Sequence, residues 1–340
     1  MDTKQIEETN HLKEDVYTLA MSPLIATALN SMLSFDVPKL LETPKSIDEL
    51  AQATLSVKHK LERTLLALEA FGYFSYDEHS KTWSNSPKTS LFLDKNFRDA
   101  IYFCCVPFQY EILLKFSDAL RCDQSSCYLQ FGRNIYEELS QRSLDKNYFH
   151  TGLGAYTKMS GDALFDTITL TGLNKVLDAG GGDGTLLCEL AKRNPNIECT
   201  VLDIPSLSEL ATKIIESYGL QDRVKFVPGD FRQEIPSGFD CILFKQALNS
   251  WSDEVVIKIL ENCYKALENG KKLIIIEHAV VKSDENYREV RYLDLMGISE
   301  IESRTRNPEE FKMVIEYAGF TIENIKRLQG QYMFEAVKSA

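Results

Sequence analysis

Residues 178–185 read Asp-Ala-Gly-Gly-Gly-Asp-Gly-Thr and directly follow the apolar run Lys175-Val176-Leu177. Glycines between a strand and a helix serve where the backbone takes a positive φ or touches a ligand with no Cβ between them, and the helix start offers free N–H groups. Thr185 stands where the dinucleotide motif Gly-x-Gly-x-x-Gly needs its third glycine. The stretch therefore predicts a nucleotide-type cofactor site and disfavours hydride transfer.

Acidic residues follow the next two predicted strands at the same edge of the sheet. Asp203 ends the second strand, where a carboxylate can accept hydrogen bonds from both ribose hydroxyls. Asp230 and Phe231 follow the third strand and suit the amine and the face of adenine. The predicted strands after the first are 197–202, 224–227, 239–244 and 272–277. Each acid alone also fits a solubilising or helix-capping residue, but the ordered series indicates S-adenosylmethionine.

The length, composition and net charge of the chain limit the classes of protein to which it can belong. With 340 residues and 44% hydrophobic content, it is long enough for two domains. A formal net charge of −12 disfavours nucleic acid as a partner. We expect no stretch with the roughly 20 uncharged apolar residues of a membrane span, and the acidic N-terminus lacks the pattern of a signal peptide. These features predict a cytoplasmic protein, and the scattered cysteines and histidines predict no metal site.

The first hundred residues predict a separate, mainly helical domain. An N-capped helix starts at Ser46, an amphipathic helix covers 61–71, and a hairpin covers 73–83, which is the order of a winged helix. A DNA-binding regulator is one interpretation of that order. Apart from Lys58, Lys60 and Arg63, however, the 61–71 region is rich in Leu and Ala, which favours packing against a second subunit. We therefore predict a homodimer.

Three domains follow from this interpretation. Residues 1–100 form the winged-helix-like dimerisation domain, and residues 166–340 form the cofactor-binding α/β domain. Between them, residues 101–165 are rich in aromatic side chains and are predicted to be a helical connector that contributes to the acceptor pocket, although each aromatic residue alone also fits a core position.

Taken together, the motifs resemble those of the class I O-methyltransferases of the caffeate and acetylserotonin type. The resemblance spans nearly the whole chain and implies a winged-helix dimerisation domain followed by a Rossmann-like domain with a mostly parallel seven-stranded sheet. It also implies S-adenosylmethionine as the cofactor. The segments that carry it are 178–185, 201–205, 229–231, 248–254, 306–311 and 318–320.

The resemblance also implies roles for single residues. Gly180 and Gly182 would lie against the methionine moiety, Asp203 would hold the ribose, and Lys245 would lie beside the cofactor, although a strand-end lysine can also simply reach solvent. The residues assigned to the cofactor site are Asp178, Gly180, Gly182, Asp203, Asp230, Phe231 and Lys245.

One segment departs from the family pattern. Members that methylate hydroxyls usually have His-Asp-Trp after the fourth strand, with the histidine as general base, whereas this chain has Asn249-Ser250-Trp251. An amide cannot accept a proton near neutral pH. Thr305 stands at the position of the usual partner glutamate, although Glu300 and Glu302 are close in sequence.

Three mechanisms remain open. Methyl transfer can go to a carbon, a nitrogen or an already acidic oxygen, with proximity carrying catalysis and Asn249 orienting the acceptor. Alternatively, another residue supplies the base, with His150 as the leading candidate and His278 as the second. Finally, the protein can bind the cofactor and assist a pericyclic or cyclisation step without transferring the methyl group.

Our prediction is a homodimeric S-adenosylmethionine-dependent methyltransferase that acts on a small aromatic or polyketide-like molecule. The predicted catalytic residues are Asn249 and His150. The predicted acceptor-binding residues are Phe149, His150, Asn249, Tyr292 and Met296, of which Tyr292 and Met296 also fit plain helix packing.

Overall fold

The computed structural model describes residues 3–104, 106–301, 303–328 and 330–339. Contacts within the chain divide it into two compact units, with the boundary between Val106 and Pro107. Residues 107–165, which are most of the predicted connector 101–165, fall in the same unit as the large sheet.

The first unit is mainly helical and contains one short hairpin. Its elements are α1 (Thr3–Ser34), α2 (Val37–Leu40), α3 (Ile47–Ala53), α4 (Lys58–Ala70), β1 (Ser75–Asp77), β2 (Thr82–Ser84), α5 (Pro87–Ser90) and α6 (Lys95–Cys104), with a 3₁₀ turn at Leu91–Leu93.

Local sequence signals account for the centre of this unit. The Ser46 side chain caps α3 in a capping box with Glu49, as the sequence predicted. Leu61, Leu65 and Leu68 lie on one face of α4 and are buried in the core of the unit. The order of α3, α4 and a hairpin is the one on which the winged-helix interpretation depends.

Helix α1 corrects one expectation from the sequence. No charged residue lies between Asp15 and Asp36, and by length and composition alone the part from Thr9 to Ser34 is long and apolar enough to cross a membrane. The expectation that no such stretch exists was wrong. Only 22% of its most apolar window is buried. An exposed apolar helix equally suits a surface that packs against another protein chain.

The second unit combines a helical N-terminal part with an α/β sheet. Its helices are α7 (Pro107–Leu113), α8 (Phe116–Ala119), α9 (Ser126–Phe131), α10 (Ile135–Gln141), α11 (Ser143–Met159), α12 (Gly161–Thr167), α13 (Thr185–Arg193), α14 (Ser208–Ser217), α15 (Asp253–Ala266), α16 (Tyr287–Glu300) and α17 (Pro308–Tyr317), with a 3₁₀ turn at Pro205–Leu207. Its strands are β3 (Lys175–Ala179), β4 (Glu198–Asp203), β5 (Val224–Pro228), β6 (Cys241–Lys245), β7 (Lys272–Glu277), β8 (Phe320–Leu328) and β9 (Gln331–Lys338).

The seven strands form one sheet in the order β5-β4-β3-β6-β7-β9-β8. Strands β3 to β7 are parallel, whereas β9 pairs antiparallel with both β7 and β8. The predicted α/β class with a mostly parallel seven-stranded sheet is therefore confirmed.

Helices cover both faces of this sheet, so its central strands are buried and almost entirely apolar. The strand order reverses between β3 and β6, which are neighbours although β4 and β5 lie between them in sequence. Ligands of open α/β sheets bind in the crevice outside the carboxyl ends of the strands at such a switch point.

Candidate active site

A cavity of about 460 Å³ lies at this switch point, within the size range of small-molecule sites. The loops after β3, β4, β5 and β6 form it together with α10 and α11. Eight of the sequence-predicted site residues line it, namely His150, Asp178, Gly180, Gly182, Asp203, Asp230, Phe231 and Lys245.

The glycine loop takes a backbone conformation that residues with a side chain rarely adopt. Gly180 has a φ of +77°, and a Cβ at this position would lie 3.0 Å from the Ala247 Cβ and 3.1 Å from the Phe231 ring. Gly182 has a φ of +59°, and its N–H donates to the Asp203 carboxylate at 2.8 Å. The loop thus presents bare backbone to the cavity, as the sequence predicted.

Asp178, at the end of β3, is a buried carboxyl group in this cavity. Neither of its oxygens has a hydrogen-bond partner among the described residues. Burial raises its pKa to about 7, and the charge of Asp203 adds to the shift. A buried polar group without a partner is costly. An orphaned carboxyl in a ligand cavity therefore fits the ammonium group of the methionine moiety of S-adenosylmethionine.

Asp203 differs from Asp178 because the protein itself supplies donors to it. The backbone N–H groups of Gly182 and Ile204 donate to its two oxygens at 2.8 and 2.7 Å. Burial raises its pKa, whereas these two N–H groups lower it. They fix the carboxylate in place, and its remaining lone pairs are suited to ribose hydroxyls.

At the far end of the cavity, Asp230 has a partner of its own. The Arg232 guanidinium donates from Nε at 2.9 Å and from Nη2 at 2.7 Å. Partial burial raises the pKa of Asp230, but the Arg232 hydrogen bonds outweigh this effect and the pKa is lowered. Arg232 also lies 4.5 Å above the Trp251 ring, and the Trp251 Nε1 has no partner among the described residues. These groups with Phe231 form a polar and aromatic end that suits a purine.

Lys245, the last residue of β6, is half-buried and lines the same cavity. Its Nζ donates to the Thr157 Oγ1 at 3.2 Å and to the Gln246 Oε1 at 2.8 Å. Burial lowers its pKa to about 8, against the opposing charges of Glu277 and Asp178.

The two candidate histidines lie in different surroundings. His150 lines the cofactor cavity, and burial lowers its pKa to about 4. His278 lies instead on a second cavity near β8 and β9 and pairs with Gln246 and the Gly330 carbonyl. Burial lowers its pKa to about 4 as well. Both imidazoles are therefore neutral at pH 7.

The Asn249 amide forms hydrogen bonds within the protein. Its Nδ2 donates to the Glu277 carboxylate at 3.1 Å and to the His278 carbonyl at 2.8 Å, and its Oδ1 accepts from the backbone N–H of Arg306 at 3.4 Å. Glu277 also accepts from the backbone N–H of Leu248 at 2.6 Å, and burial raises its pKa to about 7. Asn249 is not among the residues that line the cofactor cavity.

The remaining predicted site residues also lie outside that lining. Phe149 is buried beside His150, Met296 is half-buried, and the Tyr292 side chain is 60% exposed. Their acceptor roles, like that of Asn249, stay predictions. Glu300 is bound by the Gln109 amide at 3.0 Å, whereas Glu302 lies outside the described residues.

Sequence reasoning gave no role to several residues that the structure places at or behind the site. Tyr136, Thr157, Arg232 and Trp251 line the cavity, and Glu277 lies behind it. The sequence could have predicted that Glu277 lies near the site, because it ends β7 at the same sheet edge as Asp178 and Asp203. Tyr136 and Thr157 lie on helices and have no local motif. Among the described residues, no group of three His, Cys, Asp or Glu side chains is placed to hold a metal ion.

A cavity at the switch point, with a glycine loop and acids suited to a ribose and an ammonium group, defines a nucleoside-binding α/β enzyme of the methyltransferase type. Comparison with known families gives the same class. The O-methyltransferase domain profile matches residues 114–321. The chain therefore belongs to the O-methyltransferase family.

Individual relatives match most of the chain. The mitomycin biosynthesis 6-O-methyltransferase of Streptomyces lavendulae is 23% identical over 92% of this chain and 90% of its own length. The O-methyltransferase sirM of Leptosphaeria maculans is 30% identical over 85% and 74%. The structure of human N-acetylserotonin methyltransferase in complex with S-adenosylmethionine has a TM-score of 0.85 at 18% identity, covering 97% and 98% of the two chains, which shows a shared fold.

These findings confirm the predicted family and cofactor. The protein is an S-adenosylmethionine-dependent methyltransferase. They do not support the alternative of a cyclase that binds the cofactor without transferring its methyl group.

Proposed function

We propose that this methyltransferase acts on a small aromatic or polyketide-like molecule whose acceptor atom needs no histidine base. The observation that carries the proposal is the Asn249 site, where an amide fully engaged with Glu277, the His278 carbonyl and Arg306 replaces the usual histidine. Catalysis then depends on holding the acceptor in line with the methyl group, and proximity alone supplies a large rate factor.

The polar groups of the cavity have separate tasks in this mechanism. Asp178 and Asp203 hold the donor by its ammonium and ribose groups, and the Gly180 loop allows its close approach. Bound S-adenosylmethionine supplies an electrophilic methyl group. The helices α10 and α11 contribute side chains to the wall of the cavity. His150, which is neutral, is available to hydrogen-bond the acceptor from α11, so it orients the acceptor in this mechanism.

An acceptor panel tests the proposal. Purified protein is incubated with donor labelled in the methyl group and with phenols of graded acidity, aromatic amines, indoles and keto acids. We expect label in carbon, nitrogen or acidic-oxygen acceptors and little in phenols that stay protonated at neutral pH. Consumption of an acceptor with no transfer of label would contradict methyl transfer.

We further propose that the first unit forms the interface of a homodimer in the cytoplasm. Support comes from α1, where Leu12, Val16, Tyr17, Leu19 and Leu24 are all more than 60% exposed. So much exposed apolar surface on one helix marks an interaction site. A second copy of the chain would cover it, whereas Leu61, Leu65 and Leu68 of α4 are buried in the core of their own unit and are not free for such a contact.

Light scattering tests the homodimer. The wild type should have twice the mass of the chain, and replacing Leu19 and Leu24 with Asp should shift it toward the monomer. Association with lipid vesicles would instead point to a membrane surface. Retention of duplex DNA that falls with salt would point to a regulator, although the net charge of −12 opposes this.

A further inference from the structure

The Lys245 amine contacts two hydrogen-bond acceptors of the protein. Its Nζ lies 3.2 Å from the Thr157 Oγ1 and 2.8 Å from the Gln246 Oε1. The Thr157 hydroxyl donates its own hydrogen to the Leu153 carbonyl, so it can only accept from Lys245. A neutral amine has two hydrogens and one lone pair. If these two acceptors take both hydrogens, the lone pair is left on a group that lines the cofactor cavity.

A chain of hydrogen bonds fixes the orientation of Gln246. The His278 Nδ1 lies 2.8 Å from the Gly330 carbonyl oxygen, which can only accept, so the hydrogen of the neutral ring is on Nδ1. The His278 Nε2 must then accept from the Gln246 amide nitrogen at 2.5 Å. The Gln246 oxygen is thereby turned toward Lys245. Gln246 holds this position with a φ of +54°, which is rare for a residue other than glycine.

The charges around Lys245 come from the two strands that flank β6. Asp178 on β3 and Glu277 on β7 both favour the ammonium form, whereas burial opposes it and brings the pKa to about 8. His278 and His150 are neutral at this pH, because burial lowers the pKa of each to about 4. Lys245 therefore exchanges its proton near physiological pH, whereas neither histidine does.

The positive charge of the donor adds to this balance. A sulfonium and an ammonium in one buried cavity repel each other, since like charges in a low-dielectric site disfavour the charged form. The thioether that remains after methyl transfer is neutral. The sulfonium therefore favours the neutral amine of Lys245 before the reaction. After the reaction that repulsion is gone, and Lys245 can hold a proton.

We propose that Lys245 is the general base of this enzyme and accepts the proton of an acidic hydroxyl or an amine of the acceptor as the methyl group is transferred. In this step the bond from sulfur to the methyl carbon breaks and its electrons remain on sulfur. The acceptor atom bonds to the methyl carbon, and its proton moves to the Lys245 nitrogen. The step thus moves one positive charge from the sulfur to the Lys245 nitrogen and leaves the net charge of the cavity unchanged. The inference rests on the proposed methyl transfer and adds the residue that takes the proton.

Calorimetry tests the charge of Lys245 without catalysis. S-adenosylmethionine and S-adenosylhomocysteine are titrated into the protein at pH 8 in buffers of different ionisation enthalpy, which reports the protons released. The two ligands differ in the charged methyl group. Because the Lys245 pKa is about 8, we expect the sulfonium form to release about half a proton more. Lys245→Met should abolish this difference, whereas Lys175→Met, on β3 outside the cavity, should retain it. Its absence in the wild type, or its persistence in Lys245→Met, would overturn the inference.

Kinetics with the panel acceptor that the wild type methylates fastest gives the second test. Lys245→Met and Lys245→Arg should each lower kcat by at least about 100-fold, since neither side chain can take a proton. Their affinity for S-adenosylhomocysteine should stay within about fivefold. Added ethylamine should restore part of the kcat of Lys245→Ala. Equal losses of kcat and affinity, without rescue by the amine, would show that Lys245 only binds the cofactor. If the wild type methylates no acceptor, the proposed function fails, and calorimetry still decides the charge state.

Discussion

The two halves of the site satisfy their polar groups in opposite ways. On the side of β3 and β4, the Asp178 carboxyl is buried without a partner among the described residues, and the loop at Gly180 leaves its backbone bare. On the side of β7, Asn249 donates to Glu277 and accepts from the Arg306 backbone N–H, and the Arg306 side chain donates to the Leu248 carbonyl. Unpaired buried groups are costly unless a ligand pairs them, whereas a saturated network stabilises its own surroundings. The first half is therefore built for a ligand and the second for support.

The largest free-energy change should come from a substitution on the β7 side of the site, which supports the fold. Arg306 is fully buried and donates to the carbonyls of Leu248 and Trp251 and to Asp253. Arg306→Met leaves these carbonyls without their donor and should lower the free energy of unfolding in urea by about 3 kcal/mol. Arg304→Met removes a half-exposed partner of the same Asp253 and should cost less than about 1 kcal/mol. Equal losses of unfolding free energy in the two variants would show that the hydrogen bonds of Arg306 do not stabilise the fold.

A second variant affects the ligand half. Gly180→Ala places a Cβ against Ala247 and Phe231, and we expect it to weaken S-adenosylhomocysteine binding by at least about 100-fold, or about 2.7 kcal/mol. Gly172 has a similar φ of +81°, but a Cβ added there would have no neighbour within 4 Å. Gly172→Ala should therefore carry the backbone strain without loss of affinity. Calorimetry on both variants separates backbone strain from the clash with Ala247 and Phe231 in the cavity wall.

Asp178→Asn should weaken cofactor binding less than Gly180→Ala does. It should also make the folded protein less sensitive to rising pH. Loss of the charged acceptor should weaken S-adenosylhomocysteine binding by about tenfold. The folded-state pKa of Asp178 is raised to about 7, so the wild type loses stability as pH rises from about 4 through 7, when the buried carboxyl must ionise. The variant should lose less over that window, although Glu277 still contributes to both proteins. Parallel stability curves would show that Asp178 is paired.

The smallest effect should follow Asn249→His. Because the Asn249 side chain lies against Glu277 and the His278 carbonyl, we expect the kcat for a phenol to change by less than about threefold. A large gain in O-methylation would show that residue 249 reaches the acceptor and that this half of the site also contacts ligand.

The same contrast explains how much of the site the sequence could predict. The glycine loop, Asp203 and Asp230 follow directly from strand ends, because neighbouring parallel strands bring consecutive carboxyl termini to one edge. The orientation of Asn249 depends on Glu277 and Arg306, which are 28 and 57 positions away. Tyr136 and Thr157 reach the cavity through helix packing that no local pattern encodes. Likewise, the apolar composition of α1 predicts burial, whereas its apolar side chains are exposed in the structure. The sequence between Asp15 and Asp36 also contains a longer uncharged stretch than we expected.

The position of β9 affects how the protein is made. This strand follows β8 in sequence, yet it lies inside the sheet between β7 and β8. During translation, β7 therefore presents an open edge until the C-terminal residues have left the ribosome, and an open edge invites pairing with other nascent chains. A chain truncated before Gln331 would therefore lack β9 and expose the edge of β7, which chaperones or proteases can recognise.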